Sequence, residues 1–449
     1  MSSPVRLIAF YLPQFHPIPE NDYWWGKGFT EWTNVAKAEP LYQGHYQPHL
    51  PADLGFYDLR VAEVRDQQAA LAKEYGIYGF CYYYYYFGGK KLLQLPMEQM
   101  IESGKPDFPF CVCWANENWT RRWDGNEDAV LIEQNNSEHD DENFIRSLLS
   151  AFKDKRYIRV NGKLLLLVYR VDLLSDPLKT SSIWRETIRK ELNEELYICA
   201  MNGWVKEIDP NKIGFDATVQ FPLDTNHALS VDAHLFALRN QVDPEQLKGH
   251  QFFDYQKVAD YMTNLPKPYY KFFRGAFPSW DNTSRRNSGA KIFVNSSPEY
   301  FKLFLSRTIN LAMNEQEGDE RMVFLNAWNE WAEGAHLEPD QKHGRKNLEA
   351  VRDALVESNL IPHLTENIRE KYPDDPDIDA SLDQLEILLT EKEKSVLSLT
   401  SDLNTTWNAN TYMKRELRVI KKSLTFRIGS FFLWLPIKLY KILRGGREN

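Results

Sequence analysis

Eight short apolar runs, at 5–12, 76–86, 108–114, 163–169, 196–201, 217–221, 269–276 and 322–328, recur along this 449-residue chain. They are apolar throughout rather than alternating, which suits strands covered on both faces. Between most of them lie segments of helical spacing, such as 59–75, 142–153, 183–192 and 298–314. Eight strands alternating with helices predict an α/β chain folded as a (β/α)8 barrel rather than an open doubly wound sheet. An open sheet would bring a glycine-rich phosphate turn after the first strand, and YLPQFHP at 11–17 is nothing like one. The signal is sparsest between strands four and six.

In such a barrel the chemistry collects where the strands end at their C-terminal side. Those ends are unusually polar and aromatic here. Strand one ends in Tyr11, Gln14 and His16, and its loop carries Trp24, Trp25, Glu31 and Trp32. Strand two ends in the run Tyr82 to Tyr86, and strand three in WANENWTRRWD from Trp114 to Asp124. Strand five gives Asn202 and Trp204, and strand seven ends near Trp280, Asp281 and Asn282.

Strand eight is the most informative. The run from Phe324 to Pro339, FLNAWNEWAEGAHLEP, delivers Glu330 and Glu333 among Trp328, Trp331 and Gly334. Making or breaking a glycosidic bond takes one carboxyl group that gives a proton and one that stays ionised beside the developing positive charge. Aromatic faces suit the C–H surface of a sugar. On a continuing strand, residues three apart point to opposite faces. A joint role for Glu330 and Glu333 therefore requires the strand to break near Trp331 into a helical turn, and Gly334 suits that break.

Composition narrows the class. Hydrophobic residues make up 43% of the chain and the net charge is −9, which speaks against nucleic acid as the partner of the folded body. Aromatics reach 14%, more than a core requires. Cys81, Cys111, Cys113 and Cys199 all fall in apolar strand runs with no metal spacing, and read as small buried hydrophobes in a reduced compartment. No metal or cofactor is expected. The start passes directly into strand one without a leader pattern, and no run of about 18 apolar residues occurs, so a cytoplasmic location is expected.

The barrel is expected over residues 1–355, followed by an acidic, proline-broken linker at 356–380. Residues 381–412 carry heptad-spaced leucines, which predicts a helical or coiled-coil segment with self-association through 382–403. The last part, 413–449, is basic: from Lys414 onward ten Lys/Arg face two Glu, leaving the preceding residues at −17. Arg427, Phe431, Phe432, Trp434, Lys438 and Lys441 interleave cations with bulky apolar groups there. Such a segment suits an anionic membrane interface, so attachment to the inner face of the cytoplasmic membrane is expected, with docking on the barrel's own acidic surface as the alternative.

Five stretches together carry a family resemblance: AFYLPQFHP at 9–17, GFTEWTNV at 28–35, FCVCWANENWTRRWD at 110–124, FPSWDNT at 277–283 and the motif at 326–340. The chain resembles the WbsX-type proteins of bacterial surface-polysaccharide gene clusters, related to the family ninety-nine glycoside hydrolases, the endo-α-mannosidases. The resemblance implies a (β/α)8 barrel and a metal-independent, retaining reaction on α-mannoside-like bonds. It makes Glu330 the base that deprotonates the sugar's own 2-hydroxyl, and Glu333 the acid/base that serves the leaving group and then the acceptor. Those roles call for Glu333 raised by an apolar neighbourhood and Glu330 kept ionised by donors. Ala332 departs from the hydrolase pattern, which has His there, and so puts the hydrolases' substrate contacts in doubt.

Candidate sugar contacts are the rings of Trp25, Trp114 and Trp119, the polar groups of Asn116, Glu117 and Asp281, and Tyr11, His16, Trp280 and Trp328. Arg121 and Arg122 are read as ion-pair partners of Glu117 or Asp124. The leading function is cleavage or transfer of an α-glycosidic bond with retention on an oligo- or polysaccharide, lipid-linked or free, in surface polysaccharide (O-antigen or capsule) metabolism. A glycosyltransferase using a nucleotide-sugar or lipid-linked donor is the runner-up, although no Asp-x-Asp strand end is present. A catalytically dead glycan-binding scaffold is the third reading.

Overall fold

In a computed structural model, residues 5–371 are described, apart from 122–125, 133–137, 204–207, 222–228 and 248. Side chains are described outside 119–138 and up to 358. Eight parallel strands form one closed ring: β1 (Arg6–Tyr11), β2 (Gly79–Phe87), β3 (Phe110–Trp114), β4 (Lys163–Val168), β5 (Leu196–Asn202), β6 (Ala217–Gln220), β7 (Phe272–Ala276) and β8 (Met322–Leu325). Each pairs with its neighbour in sequence, and β1 closes on β8 with Leu7 opposite Val323 and Ala9 opposite Leu325. The barrel fold and all eight strands stand where the sequence places them.

The helices that follow the strands along the chain are α1 (Glu31–Lys37), α2 (Ala62–Glu74), α3 (Leu95–Ser103), α4 (Glu138–Ser147), α5 (Pro177–Leu192), α6 (Tyr255–Asn264), α7 (Pro298–Glu315) and α8 (Lys346–Lys371). Between β5 and β6 the described residues offer only the short 3-10 turn Pro210–Ile213, which accounts for the faint helical pattern there. Helix α8 runs on past residue 355, so the expected linker at 356–380 is helical as far as Lys371. By contact density the chain divides into one unit at Met1–Leu364 and a second at Thr365–Asn449. The proposed coiled-coil and tail residues, including Arg427, Phe431, Phe432, Trp434, Lys438 and Lys441, lie outside the described residues.

Strand β2 shows how one sequence serves both faces. Successive strand residues point to opposite sides, and its tyrosines sort by parity. Tyr82, Tyr84 and Tyr86 face the helices: Tyr82 packs on Tyr11 at 4.5 Å between ring centres, Tyr84 hydrogen-bonds Ser147, and Tyr86 meets Phe144. Cys81 and Tyr83 face inward, Tyr83 lying flat on Phe10 at 5.5 Å. Phe10 in turn meets Phe324, and Phe324 meets Phe273, in one aromatic layer across the barrel. The four cysteines are free and buried below that layer or beside it, and burial lifts the thiols of Cys81, Cys113 and Cys199 well above their usual range. Thiols held protonated in this way are packing groups rather than nucleophiles.

Candidate active site

Beyond Leu325 the chain leaves β8 and makes the break that the carboxylate spacing requires. Asn329–Glu330 pairs antiparallel with Ala335–His336, and Trp331–Glu333 forms a single 3-10 turn between them. Gly334 ends the turn at φ +60, in the left-handed region that costs glycine least. A side chain there would press on the Asp281 backbone, whose nitrogen and oxygen lie 3.1 and 3.2 Å from a Cβ. Glu330 and Glu333 are thereby brought to the same side.

Neighbouring loops hold this turn at nearly every residue. Asn329 accepts from the Leu12 amide at 2.7 Å and donates to the Leu12 carbonyl at 3.0 Å, joining the turn to the end of β1. The indole of Trp331 donates to Glu338 at 2.6 Å, and Tyr57 and Gln68 donate to the same carboxylate at 2.7 Å each. From the loop after β7, the Ser284 hydroxyl donates to the Ala332 carbonyl at 2.6 Å, the Asp281 amide to the Glu333 carbonyl at 2.7 Å, and Ser279 to the Gly334 carbonyl. Asp281 is itself fixed. Leu41 donates to His45 Nδ1, so the His45 proton sits on Nε2 and points at Asp281 Oδ2, 2.5 Å away.

The centre is a knot of charge. The Arg285 guanidinium donates from Nη2 to Glu330 at 2.7 Å and from Nη1 to Glu333 at 2.5 Å. It also donates from Nε and Nη2 to Glu31 Oε1, at 3.0 and 2.5 Å. Glu31 is fully buried at the first position of α1, whose Trp32 ring packs 5.4 Å from Trp331. Burial works against charge on Arg285, and the three carboxylates more than offset it. Burial pushes Glu330 up to about 8 and raises Glu333 as well, with Arg285 pulling both back. The expected split placed the rise on Glu333. The deeper group is Glu330, whose side chain is 7% exposed against 19% for Glu333, and desolvation follows depth. Three phenols border the pair: Tyr83, Tyr85 and Tyr169, each raised by burial and further by Glu330 and Glu333.

Several proposed sugar contacts are packing residues. Tyr11 faces outward and donates to Gln68 at 2.7 Å. Trp114 stacks on Phe144 at 4.1 Å beneath the helices and donates to the Tyr86 carbonyl. Trp328 and Trp280 are buried with almost no ring face open. In each case the apolar area gained by packing outweighs exposure at the mouth. Asn116 grips Arg170, accepting from its amide and donating to its carbonyl at 2.7 Å each, and Glu117 pairs with the Arg170 guanidinium at 2.5 Å. Arg170 is thus a described partner of Glu117, and the side chains of Arg121 and Arg122 lie outside the described residues. His16 is buried and lowered to about 4 by desolvation, and the charged groups acting on it are Asp58, Arg60 and Arg65 rather than the glutamate pair. Trp25 is half-buried with its ring 5.9 Å from Phe29, and the Trp119 side chain lies outside the described residues.

Sequence reasoning did not find Arg285, and gave Glu31 only as a loop residue. The available signal was the basic pair Arg285-Arg286 just after the strand-seven motif. For a cation, His49, His336 and Asp340 bring one donor atom each within 4.8 Å of one another, all buried. His336 Nδ1 donates to the Glu338 carbonyl, leaving its Nε2 to accept from His49 Nδ1 at 2.9 Å, so the two rings satisfy each other.

The ring of eight parallel strands and the paired glutamates at its C-terminal mouth define a (β/α)8 barrel with an acidic centre. The chain belongs to the family described as glycosyltransferase WbsX, which it matches over residues 7–351. It is 46% identical over 353 residues to a protein named WxcX of Xanthomonas campestris pv. campestris strain B100. It is 45% identical over 353 residues to the WxcX of strain ATCC 33913. These alignments take in 79% of this chain and 50% of each relative, so the chain spans about half the length of the curated relatives it matches. Among solved structures it is similar to a GH99 endo-alpha-mannosidase of Bacteroides thetaiotaomicron, at 12% identity and TM-score 0.49, over 79% of this chain and 97% of that one. A glycoside hydrolase-like protein matches at 14% identity and TM-score 0.49, over 79% and 94%.

Proposed function

We propose that the protein is a carbohydrate-active enzyme of polysaccharide metabolism that cleaves or transfers an α-glycosidic, mannoside-like bond with retention. The observation that carries this reading is the pair Glu330 and Glu333, on one turn and on one guanidinium at the barrel mouth. Two buried carboxylates beside each other cannot both ionise cheaply, so the pair keeps one proton across neutral pH. One neutral acid and one ionised base is what the chemistry needs. In the free protein the deeper Glu330 holds that proton better. A sugar 2-hydroxyl donating to Glu330 would stabilise its ionised form and send the proton to the more open Glu333. Glu333 then serves as acid to the leaving oxygen, and as base to the acceptor. Asn326, whose buried amide has no hydrogen-bond partner among the described residues, offers both a donor and an acceptor to a sugar hydroxyl.

The second reading, transfer from a nucleotide-sugar or lipid-linked donor, is favoured by the family's description. The local charge favours the first. Arg285 is already engaged by three carboxylates, and a diphosphate leaving group at the reacting carbon would face their repulsion. The test is product analysis with α-mannosyl fluoride and a short α-mannan, offering water and a sugar acceptor separately. Wild type is expected to turn over and Glu333→Gln to lose about 100-fold or more. Dependence on the acceptor separates transfer from hydrolysis. Silence toward both donors together with tight binding of a nucleotide-sugar would move the assignment to the second reading.

A further inference from the structure

We propose that Arg285 and Glu31, neither of which need touch the sugar, are the positioning residues of this centre: Arg285 spaces Glu330 and Glu333 on its fork, and Glu31 anchors Arg285. The proposal rests on the reading of Glu330 and Glu333 as the reacting pair.

The geometry carries it. Each nitrogen of the guanidinium has a carboxylate partner, Nη1 on Glu333, Nη2 on Glu330 and Glu31, and Nε on Glu31. A planar fork fixes two acceptors at a set separation, which a lysine ammonium cannot do. The four members of the cluster come from three places: Glu31 from α1, Arg285 from the loop after β7, and Glu330 and Glu333 from the turn after β8. As a device for stability the cluster is poorly chosen. Three carboxylates, Glu31 and Glu330 buried and Glu333 partly so, share one guanidinium, and Glu31 Oε2 has no donor among the described residues. A buried ion pair at best breaks even against apolar packing, and surplus buried charge costs more. Such an arrangement is better explained by what it does to the pair's protons.

Its effect on those protons has a definite sign. The groups facing Glu330 and Glu333 are Arg285 and Arg286 from the loop after β7, Glu31 from α1, Tyr83 and Tyr85 from β2, and Tyr169 after β4. Among these, Glu31 raises both carboxyl groups and Arg285 lowers both. Removing the Glu31 charge therefore moves their titration toward acid, and removing the Arg285 charge moves it toward alkali.

The test reads protonation directly, without needing a substrate. Protein labelled with carbon-13 at the glutamate carboxyl is titrated by NMR, the two signals being assigned with Glu330→Gln and Glu333→Gln. Glu31→Gln is expected to lower the titration midpoint of the pair by about one pH unit or more, and Arg285→Gln to raise it. In parallel, Arg285→Lys, which keeps charge but not the fork, is expected to lower kcat on α-mannosyl fluoride about 100-fold, with KM changed by no more than about threefold. Circular dichroism and melting confirm that each variant is folded. Should Glu31→Gln not fold, the midpoint in Arg285→Gln decides. Unmoved midpoints in the folded variants that remove a charge, Glu31→Gln and Arg285→Gln, would overturn the proposal. So would wild-type kcat and pH profile in Arg285→Lys. If wild type itself does not turn over, the functional reading fails while the titration still judges the clamp.

Discussion

Glu330 illustrates how a single residue can be costly and still be kept. Its carboxyl is raised from 4.5 to about 8, so the folded protein binds that proton more tightly than the unfolded chain does. The stability this supplies is fully present below pH 4.5 and is lost as pH climbs through 8, so above 8 the buried charge is a net cost. Glu338, raised to about 7 by burial, adds a loss of the same sign in an overlapping window. Glu330→Gln removes one of three carboxylates from a single guanidinium. It is expected to raise the melting temperature at pH 8.5, by on the order of a few kcal/mol of stability, with less effect at pH 5. Turnover would vanish at both pH values. Calorimetry at the two pH values checks the sign, and equal melting shifts at both would contradict it. A group that weakens the fold while sitting at the proposed reacting position is the usual trade between stability and activity.

At the scale of elements, the break after β8 was readable because period-two alternation forbids Glu330 and Glu333 from sharing a face on a strand, and Gly334 marks where the chain turns. The barrel strands were readable for a similar reason, since fully buried strands leave continuous apolar runs. The orientation of individual rings was not. Tyr82, Tyr83, Tyr84 and Tyr85 look alike in sequence, and only the register of β2 decides which face the helices and which face the mouth. Trp114 was mistaken for a sugar platform because its outward neighbours, Phe144 and Trp184, lie on helices far along the chain. Arg285 was missed because its three partners come together only in the closed barrel. The turn itself yields a test. Gly334→Ala places a Cβ at a left-handed φ against the Asp281 backbone. It is expected to cost about 1–3 kcal/mol in chemical denaturation and to displace Glu333, lowering kcat more than it raises KM. Denaturation midpoints and initial rates measured on the same preparation would show both effects.

At the scale of the whole molecule, the barrel and its centre fall within Met1–Leu364, apart from the end of α8. A chain ending at residue 371 is expected to fold and to keep the activity of the full chain, within about twofold, because every group of the glutamate–arginine cluster is retained. The basic segment after Lys414 is proposed to serve location instead. Full-length protein should sediment with vesicles containing anionic lipid and be released as salt is raised, whereas the chain ending at 371 should stay in the supernatant. Equal sedimentation of the two would remove the membrane role from the tail. Among the described residues, no helix is long and apolar enough to cross a membrane.

The turn carrying Glu330 and Glu333 is fastened across the seam where the first and last strands of the ring meet, through Asn329 and the backbone of Leu12. On the ribosome this joint becomes possible only late. Glu31 emerges early, Arg285 much later, and the turn carrying Glu330 and Glu333 only after the eighth strand has left the exit tunnel. A nascent chain therefore holds no working centre at any earlier moment, whatever glycans surround it. The same layout means that a chain interrupted anywhere before residue 334 should be silent rather than partly active. On the proposed function, sugar chemistry would begin only once synthesis has delivered a closed ring.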